Sequence, residues 1–108
     1  MLIAAVAEMG KSGYIGGQVA TDKGDWFMFD VALAMQNMVL AAHSLGLATV
    51  YIGLFDAKKA AEILDVPPGY ALVALLPLGY PDEKLTAPPR KSLSAMVFRD
   101  TFGSFYYH

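Results

Sequence analysis

The sequence has no cysteine among its 108 residues and little excess charge of either sign. Without cysteine the chain can form no disulfide framework and can carry no catalytic or metal-binding thiolate. Lysine and arginine number 8 against 10 aspartate and glutamate residues, so the net charge is −2. A nucleic-acid-binding surface, which needs a basic excess, is therefore disfavoured. The missing cysteine fits a reducing compartment, and we expect the protein to be cytoplasmic.

Charge is also missing from one long internal stretch, since no charged side chain occurs from residue 31 to residue 55. Hydrophobic residues make up 56% of the chain, and its mean hydropathy is +0.41. The stretch is long enough to span a bilayer. However, four polar residues and then a glycine interrupt it, namely Gln36, Asn37, His43, Ser44 and Gly46. We therefore expect it to be buried in a protein core or an oligomer interface rather than in a membrane.

The apolar pattern predicts a long helix over residues 27–45 and a shorter one over residues 57–64. Apolar, β-branched and aromatic runs predict three strands, at residues 2–7, 48–53 and 70–78. Because helices alternate with strands, the sequence predicts one layered α+β domain over residues 1–108.

Single residues mark the ends of these elements. Asp25 and Asp56 are suited to cap the two helices, and Gly46 fits the left-handed position that follows a helix. Pro77 has no N–H to donate to a neighbouring strand, so it belongs near a strand end or at a sheet edge.

The remaining segments are predicted to be irregular or short. Residues 8–25 hold five glycines and match no phosphate-binding motif, so they are interpreted as a long, flexible loop. One helical turn is predicted over residues 93–96, and a final strand over residues 97–102.

Three stretches of the sequence occur in an informative order. They read DVALAMQNMVLAAHSLGLATVYIGLF, VPPGYALVALLPLGYP and PPRKSL. The first stretch contains an alanine-rich helix with a Gln-Asn pair, followed by a strand that ends in aromatic-Ile-Gly. The second contains a strand that ends in Leu-Gly-Tyr-Pro, and the third is a basic segment beside prolines. This order resembles the nitroreductase family of FMN-dependent oxidoreductases over residues 30–98. The resemblance implies a nitroreductase-like α+β fold in which a mixed sheet packs on the long central helix.

The resemblance also implies which residues meet the cofactor, FMN. The backbone N–H of Gly53 would reach the flavin ring near N5 or O4, and Ile52 and Leu54 would press on the ring. Arg90 would bind the FMN phosphate, with Lys91 beside it. Leu54 stands where the family commonly has a second glycine. Without the resemblance, Gly53 would be interpreted as part of an ordinary strand-to-helix turn. Arg90 and Lys91 would be interpreted as a solvated basic pair.

No side chain is assigned a catalytic role, because the sequence holds no nucleophile–base motif. No histidine, aspartate or glutamate residues show metal-ligand spacing. His43, on a narrow polar stripe of the long helix, is interpreted as structural. The chemistry is then expected to belong to the cofactor.

The chain departs from the family by lacking a counterpart of its N-terminal half, which carries further phosphate-binding and flavin-binding groups. We expect an incomplete version of the fold, preceded or completed by a further portion. The resemblance implies a homodimer, or a complex with a separately encoded N-terminal half. It implies hydride transfer from NAD(P)H through flavin N5 to a nitroaromatic or quinone-like acceptor. The alternative is a non-catalytic, dimer-forming module that binds FMN weakly or not at all.

Overall fold

The structure, a computed structural model, describes residues 1–105. It contains five strands, two α-helices and one short 3₁₀ turn. In chain order these are β1 (Leu2–Glu8), β2 (Tyr14–Ile15), β3 (Gln18–Val19), α1 (Phe27–Ser44), β4 (Ala48–Thr49), α2 (Ala57–Ile63), β5 (Tyr70–Gly79) and the turn Leu93–Ala95. The predicted α+β class is confirmed, as are both helices and the strands predicted at residues 2–7 and 70–78. The strand predicted at residues 48–53 is shorter: it covers Ala48–Thr49, with one further bridge at Ile52.

Strand β5 lies in the middle of a three-stranded sheet with the order β1-β5-β4. It pairs with β1 from Leu2↔Pro77 to Glu8↔Tyr70, with one irregularity in register between Ala5 and Val6. Both pairings are antiparallel, so the expected mixed sheet is wrong for the described residues. The reason is the strand order: β1 and β4 run in the same direction, but β5 separates them.

The long helix α1 packs against all three strands of this sheet. Its inward side contributes Met35, which is 3% exposed, and Ala42, while β5 contributes Leu72 and Leu76. Together with Ala7 of β1, these are the only buried apolar residues within residues 1–105. The core is therefore thin, and it covers only one side of a helix that is apolar on nearly every side.

Both helices end in the same hydrogen-bond pattern. After α1, the N–H of Leu47 donates to Ala42 O at 3.0 Å and that of Gly46 donates to His43 O at 3.0 Å. This pattern is the Schellman motif, which requires a left-handed residue, and Gly46 has φ of +77°. The predicted glycine cap is confirmed. Asp56 is confirmed as the cap of α2, because its Oδ1 accepts from the N–H of Lys59 at 3.0 Å.

The glycine-rich segment before α1 is a structured hairpin, which corrects its interpretation as a flexible loop. Gly16 and Gly17, with φ of +57° and +78°, form the two-residue turn between β2 and β3, a conformation that suits hairpins. Asp25 then ties the segment to the helix, accepting from the N–H of Gly10 at 2.7 Å and of Phe27 at 3.1 Å. The N-cap of α1 is Trp26, which makes no side-chain cap hydrogen bond, so the predicted cap at Asp25 is wrong. Asp25 lies one residue earlier, and its carboxylate closes the loop against the first helical residue instead.

The predicted final strand over residues 97–102 is wrong. Asp100 and Gly103 have φ of +65° and +87°, and the N–H of Arg99 donates to Ser104 O at 2.9 Å. These left-handed positions fold the chain into a tight turn. Among residues 1–105, a single bridge, Phe98↔Phe105, is the only extended pairing of this segment.

Much apolar surface is left open. The chain exposes 8776 Å², whereas a compact monomer of 11.6 kDa exposes about 5,800 Å². Its radius of gyration is 18.1 Å, against about 13 Å for a compact domain of this length. Neither helix within residues 1–105 is both long and apolar enough to cross a membrane.

The cap of α1 yields a stability prediction. Gly46→Ala places a Cβ at a left-handed position, where an L-residue is disfavoured by about 1–2 kcal/mol. We expect the free energy of unfolding, measured by urea titration, to fall by about that amount. Gly79→Ala is the matched control, because Gly79 has an ordinary φ and no atom within 4 Å of an added Cβ. Equal effects of both substitutions would contradict the capping role.

Candidate functional site

The candidate site begins where the pairing between β4 and β5 is interrupted. Ala48↔Gly79 and Thr49↔Leu78 are paired, and the pairing returns in the same register at Ile52↔Leu75. This register sets Val50 opposite Pro77. Proline has no N–H, so the ladder hydrogen bond at that pair cannot form. As predicted, Pro77 lies near the strand end, although its strand is the central one.

Ile52 is the last residue that the sheet holds. Its N–H donates to Leu75 O at 2.9 Å and its carbonyl accepts from the N–H of Leu75 at 3.0 Å. The chain then leaves the sheet at Gly53 and Leu54 and enters α2 at its Asp56 cap. The three predicted flavin-contacting residues therefore form one continuous segment at the end of the strand.

Gly53 presents an open backbone edge. Within residues 1–105 its N–H has no hydrogen-bond acceptor, and no atom lies within 4 Å of the place where a Cβ would stand. The neighbouring Leu54 is 99% exposed. A free donor beside open space can receive a flat ring edge-on or face-on, because no side chain blocks its approach.

A side-chain hydrogen bond joins this segment to the long helix. The Tyr51 hydroxyl donates to Gln36 Oε1 of α1 at 2.7 Å. Beneath it lies an apolar cavity of about 360 Å³, lined from the helix by Met28, Val31 and Met35 and from the sheet by Val73. The sequence gives no sign of this pair, because Gln36 and Tyr51 are 15 residues apart and no local pattern joins them.

Arg90 and Lys91 lie beyond β5 on an extended connection, and both are exposed. The ion pairs within residues 1–105 join other residues: Lys11–Glu8, Lys23–Asp22 and Arg99–Asp100. Both cations therefore remain available for an anion. Arginine can bind a phosphate through two parallel N–H donors, and lysine adds a point charge.

The predicted site residues fall into two separate groups. Among the described residues, no hydrogen bond or ion pair links the segment from Ile52 to Leu54 with Arg90 or Lys91. Within residues 1–105, Gly53 has an N–H without an acceptor, which suits the polar edge of a flavin ring, and Arg90 has no ion pair, which suits a phosphate. Neither group encloses the cofactor, so the residues present fit part of an FMN site.

Other groups of polar residues are weaker candidates for a functional site. A cavity of about 500 Å³ between β1 and α1 is lined by Glu8, Lys11 and Asp30 among others, but Glu8 and Lys11 form an exposed ion pair at 3.8 Å. His43 is exposed and faces a separate cavity of about 540 Å³. No cluster of three potential metal ligands occurs among residues 1–105.

Comparison with known proteins adds a family assignment. The sequence matches the model of the nitroreductase family over residues 2–80. The chain belongs to the nitroreductase family. Its fold agrees with this membership: a nitroreductase family protein from Clostridium difficile superposes with a TM-score of 0.78 at 23% identity, over 93% of this chain and 59% of that one.

Two curated relatives are similar in sequence. FMN reductase (NADPH) of Bacillus subtilis is 34% identical over 77 residues, which cover 69% of this chain and 31% of the relative. NADPH-flavin oxidoreductase of Vibrio harveyi is 33% identical over 75 residues, which cover 68% and 31%. The chain thus spans about a third of the length of the curated relatives it matches.

The exposure of the two basic residues yields a prediction. Because Arg90 and Lys91 make no ion pair within residues 1–105, Arg90→Ala and Lys91→Ala should each change the free energy of unfolding by less than about 0.5 kcal/mol. Urea titration of both variants checks this. A larger loss would show that the basic pair stabilises the fold, and any effect on ligand binding would then be indirect.

Proposed function

We propose that this nitroreductase family member is an FMN-dependent oxidoreductase, or the C-terminal portion of one. It would pass hydride from NAD(P)H through flavin N5 to a nitroaromatic or quinone-like acceptor. The observation that carries the proposal is the free, unobstructed N–H of Gly53 at the strand end, in a chain of this family. The flavin activities in the names of the two bacterial relatives support the same conclusion.

The chain's own residues bind and orient the cofactor. Gly53 donates its N–H to the polar edge of the flavin ring, while Ile52 and Leu54 offer apolar surface to the ring. Arg90 binds the phosphate, and Lys91 adds charge. When bound, FMN supplies the two-electron chemistry, and a fixed backbone donor favours its electron-rich reduced form.

A partner is required to complete such a site. The outward side of α1 exposes Phe29, Leu33 and Leu40, each by more than half. These residues recur on one helical face, a pattern typical of an association surface. We propose that a second copy of the chain, or a separately encoded N-terminal half, covers this face and adds phosphate-binding groups. The excess exposed surface described above supports this proposal.

The second candidate is a non-catalytic module that keeps the association surface and binds little or no FMN. The thin core and the separation of the two groups of site residues favour it. The two candidates differ in a directly visible property. The oxidoreductase, once completed by its partner, is yellow and releases flavin on denaturation, whereas the module is colourless and takes up no added FMN.

The first test is titration of the isolated chain with FMN, followed by flavin fluorescence. A buried phosphate dianion needs several charge-assisted donors, and each lost one costs about 1.5–3 kcal/mol. Because this chain offers Arg90 and Lys91 alone at the phosphate, we expect a micromolar or weaker dissociation constant. Submicromolar binding would show that other residues replace the missing donors.

The same titration separates the two basic residues. Arg90→Ala should abolish the remaining binding, because it removes the bidentate donor, while Lys91→Ala should leave part of it. Lys84→Ala is a matched control, since Lys84 is an exposed cation on the same connection without an assigned role. Equal losses for Lys84→Ala and Arg90→Ala would indicate a general charge effect and contradict the assignment.

The second test concerns association. We expect the chain to sediment as a dimer or larger assembly at micromolar concentration, and Leu33→Glu to dissociate it by placing a charge in an apolar interface. Lys58→Glu, on the exposed side of α2, serves as the control and should leave the assembly intact. A stable monomer of the unsubstituted chain would contradict self-association and leave the N-terminal half as the required partner.

A further inference from the structure

The segment that carries Gly53 has an unusually weak backbone attachment to the sheet. Pro77 stands opposite Val50 and removes one ladder hydrogen bond, so only the Ile52↔Leu75 pair holds the strand end. Gly53 itself has no neighbouring atom within 4 Å of its Cβ position. Packing therefore does not fix the direction of its N–H.

The Tyr51–Gln36 hydrogen bond lies where the ladder is broken. Tyr51 follows Val50 directly and precedes Gly53 by two residues. Its hydroxyl donates to Gln36 Oε1 at 2.7 Å. Gln36 and the bond itself are exposed, but the helix backbone is fixed at this point, because the neighbouring Met35 is 3% exposed in the core. The bond thus ties the strand end to the best-packed part of the helix.

We propose that Gln36 and Tyr51 are positioning residues that hold the segment from Val50 to Gly53 in place of the bond removed by Pro77. They thereby set where the Gly53 N–H points. The holding role stands on the hydrogen bonds alone. Its consequence for FMN rests on the proposed function, in which that N–H donates to the flavin ring.

The physical reason is the directionality of hydrogen bonds. A backbone donor stabilises its acceptor only within a narrow range of distance and angle, and the interaction weakens steeply outside that range. A donor held in place before binding also avoids the entropy cost of ordering when the ligand arrives. A strand end that moves would lose both advantages.

The first experiment needs no cofactor. Amide hydrogen exchange of Ile52, whose N–H bonds to Leu75 O at 2.9 Å, reports opening of the strand end. Tyr51→Phe removes only the hydroxyl and should speed this exchange about threefold to tenfold, the change expected from loss of one hydrogen bond. Tyr80→Phe is the control, because Tyr80 is 85% exposed and makes no hydrogen bond within residues 1–105.

Two further variants separate positioning from general destabilisation. Gln36→Met combined with Tyr51→Phe should be no worse than either single change, because both remove the same bond. Pro77→Val restores an N–H opposite Val50, and in that background Tyr51→Phe should have little effect on Ile52 exchange. Additive losses in the double variant, or an undiminished effect of Tyr51→Phe in the Pro77→Val background, would overturn the proposal.

The second experiment adds FMN to the whole chain. Tyr51→Phe should weaken FMN binding about threefold to tenfold, the same loss of one hydrogen bond, and alter the bound flavin's absorption bands, whereas Tyr80→Phe should do neither. Faster Ile52 exchange without any FMN binding by the unsubstituted chain would confirm the holding role and favour the non-catalytic module over the proposed oxidoreductase. If Tyr51→Phe leaves the amide exchange of Ile52 unchanged, the proposal is overturned, whatever the result for FMN binding. Faster exchange with unchanged FMN affinity and spectrum overturns the positioning role.

Discussion

Strand β5 is hydrogen-bonded along both of its edges, to β1 on one side and to β4 on the other, and the rest of the structure depends on this double pairing. Both helices pack against it, and it contains Leu76, the one large side chain within residues 1–105 that is fully buried. Its apolar run of 10 residues is long enough to pair with both β1 and β4. The same strand supplies the backbone partner of Ile52, so the fold and the candidate site share one support.

Pro77 weakens the pairing between β5 and the strand end that carries Gly53. A proline in a central strand removes a bond from only one of its two neighbours, because alternate residues address opposite edges. Here the missing bond faces β4, and the strand end that carries Gly53 is left with one backbone pair. A tyrosine hydroxyl and a glutamine carbonyl on α1 replace the lost attachment. The helix thus adds one side-chain bond to the backbone pair that joins the segment to the sheet.

The thin core explains why the site is divided. A helix apolar on nearly every side needs cover on two faces, and the sheet of this chain covers one. Gly53 and Arg90 lie on segments that leave the sheet, and no described contact draws them together. The open helix face and the two groups of site residues thus all lie on surfaces that the thin core leaves uncovered.

Local features of the fold could be predicted because they depend on residues only a few positions apart. The end of α1 at Gly46 and the cap of α2 at Asp56 are set within one helical turn, so the sequence by itself determined them. The hairpin at Gly16 and Gly17 is equally local, but glycines suit a tight turn and a flexible loop alike, so their presence does not distinguish the two. What only the tertiary structure decided was the strand order, the edge that Pro77 faces, and the meeting of Tyr51 with Gln36. These depend on pairing between residues far apart in the chain, which no local pattern encodes.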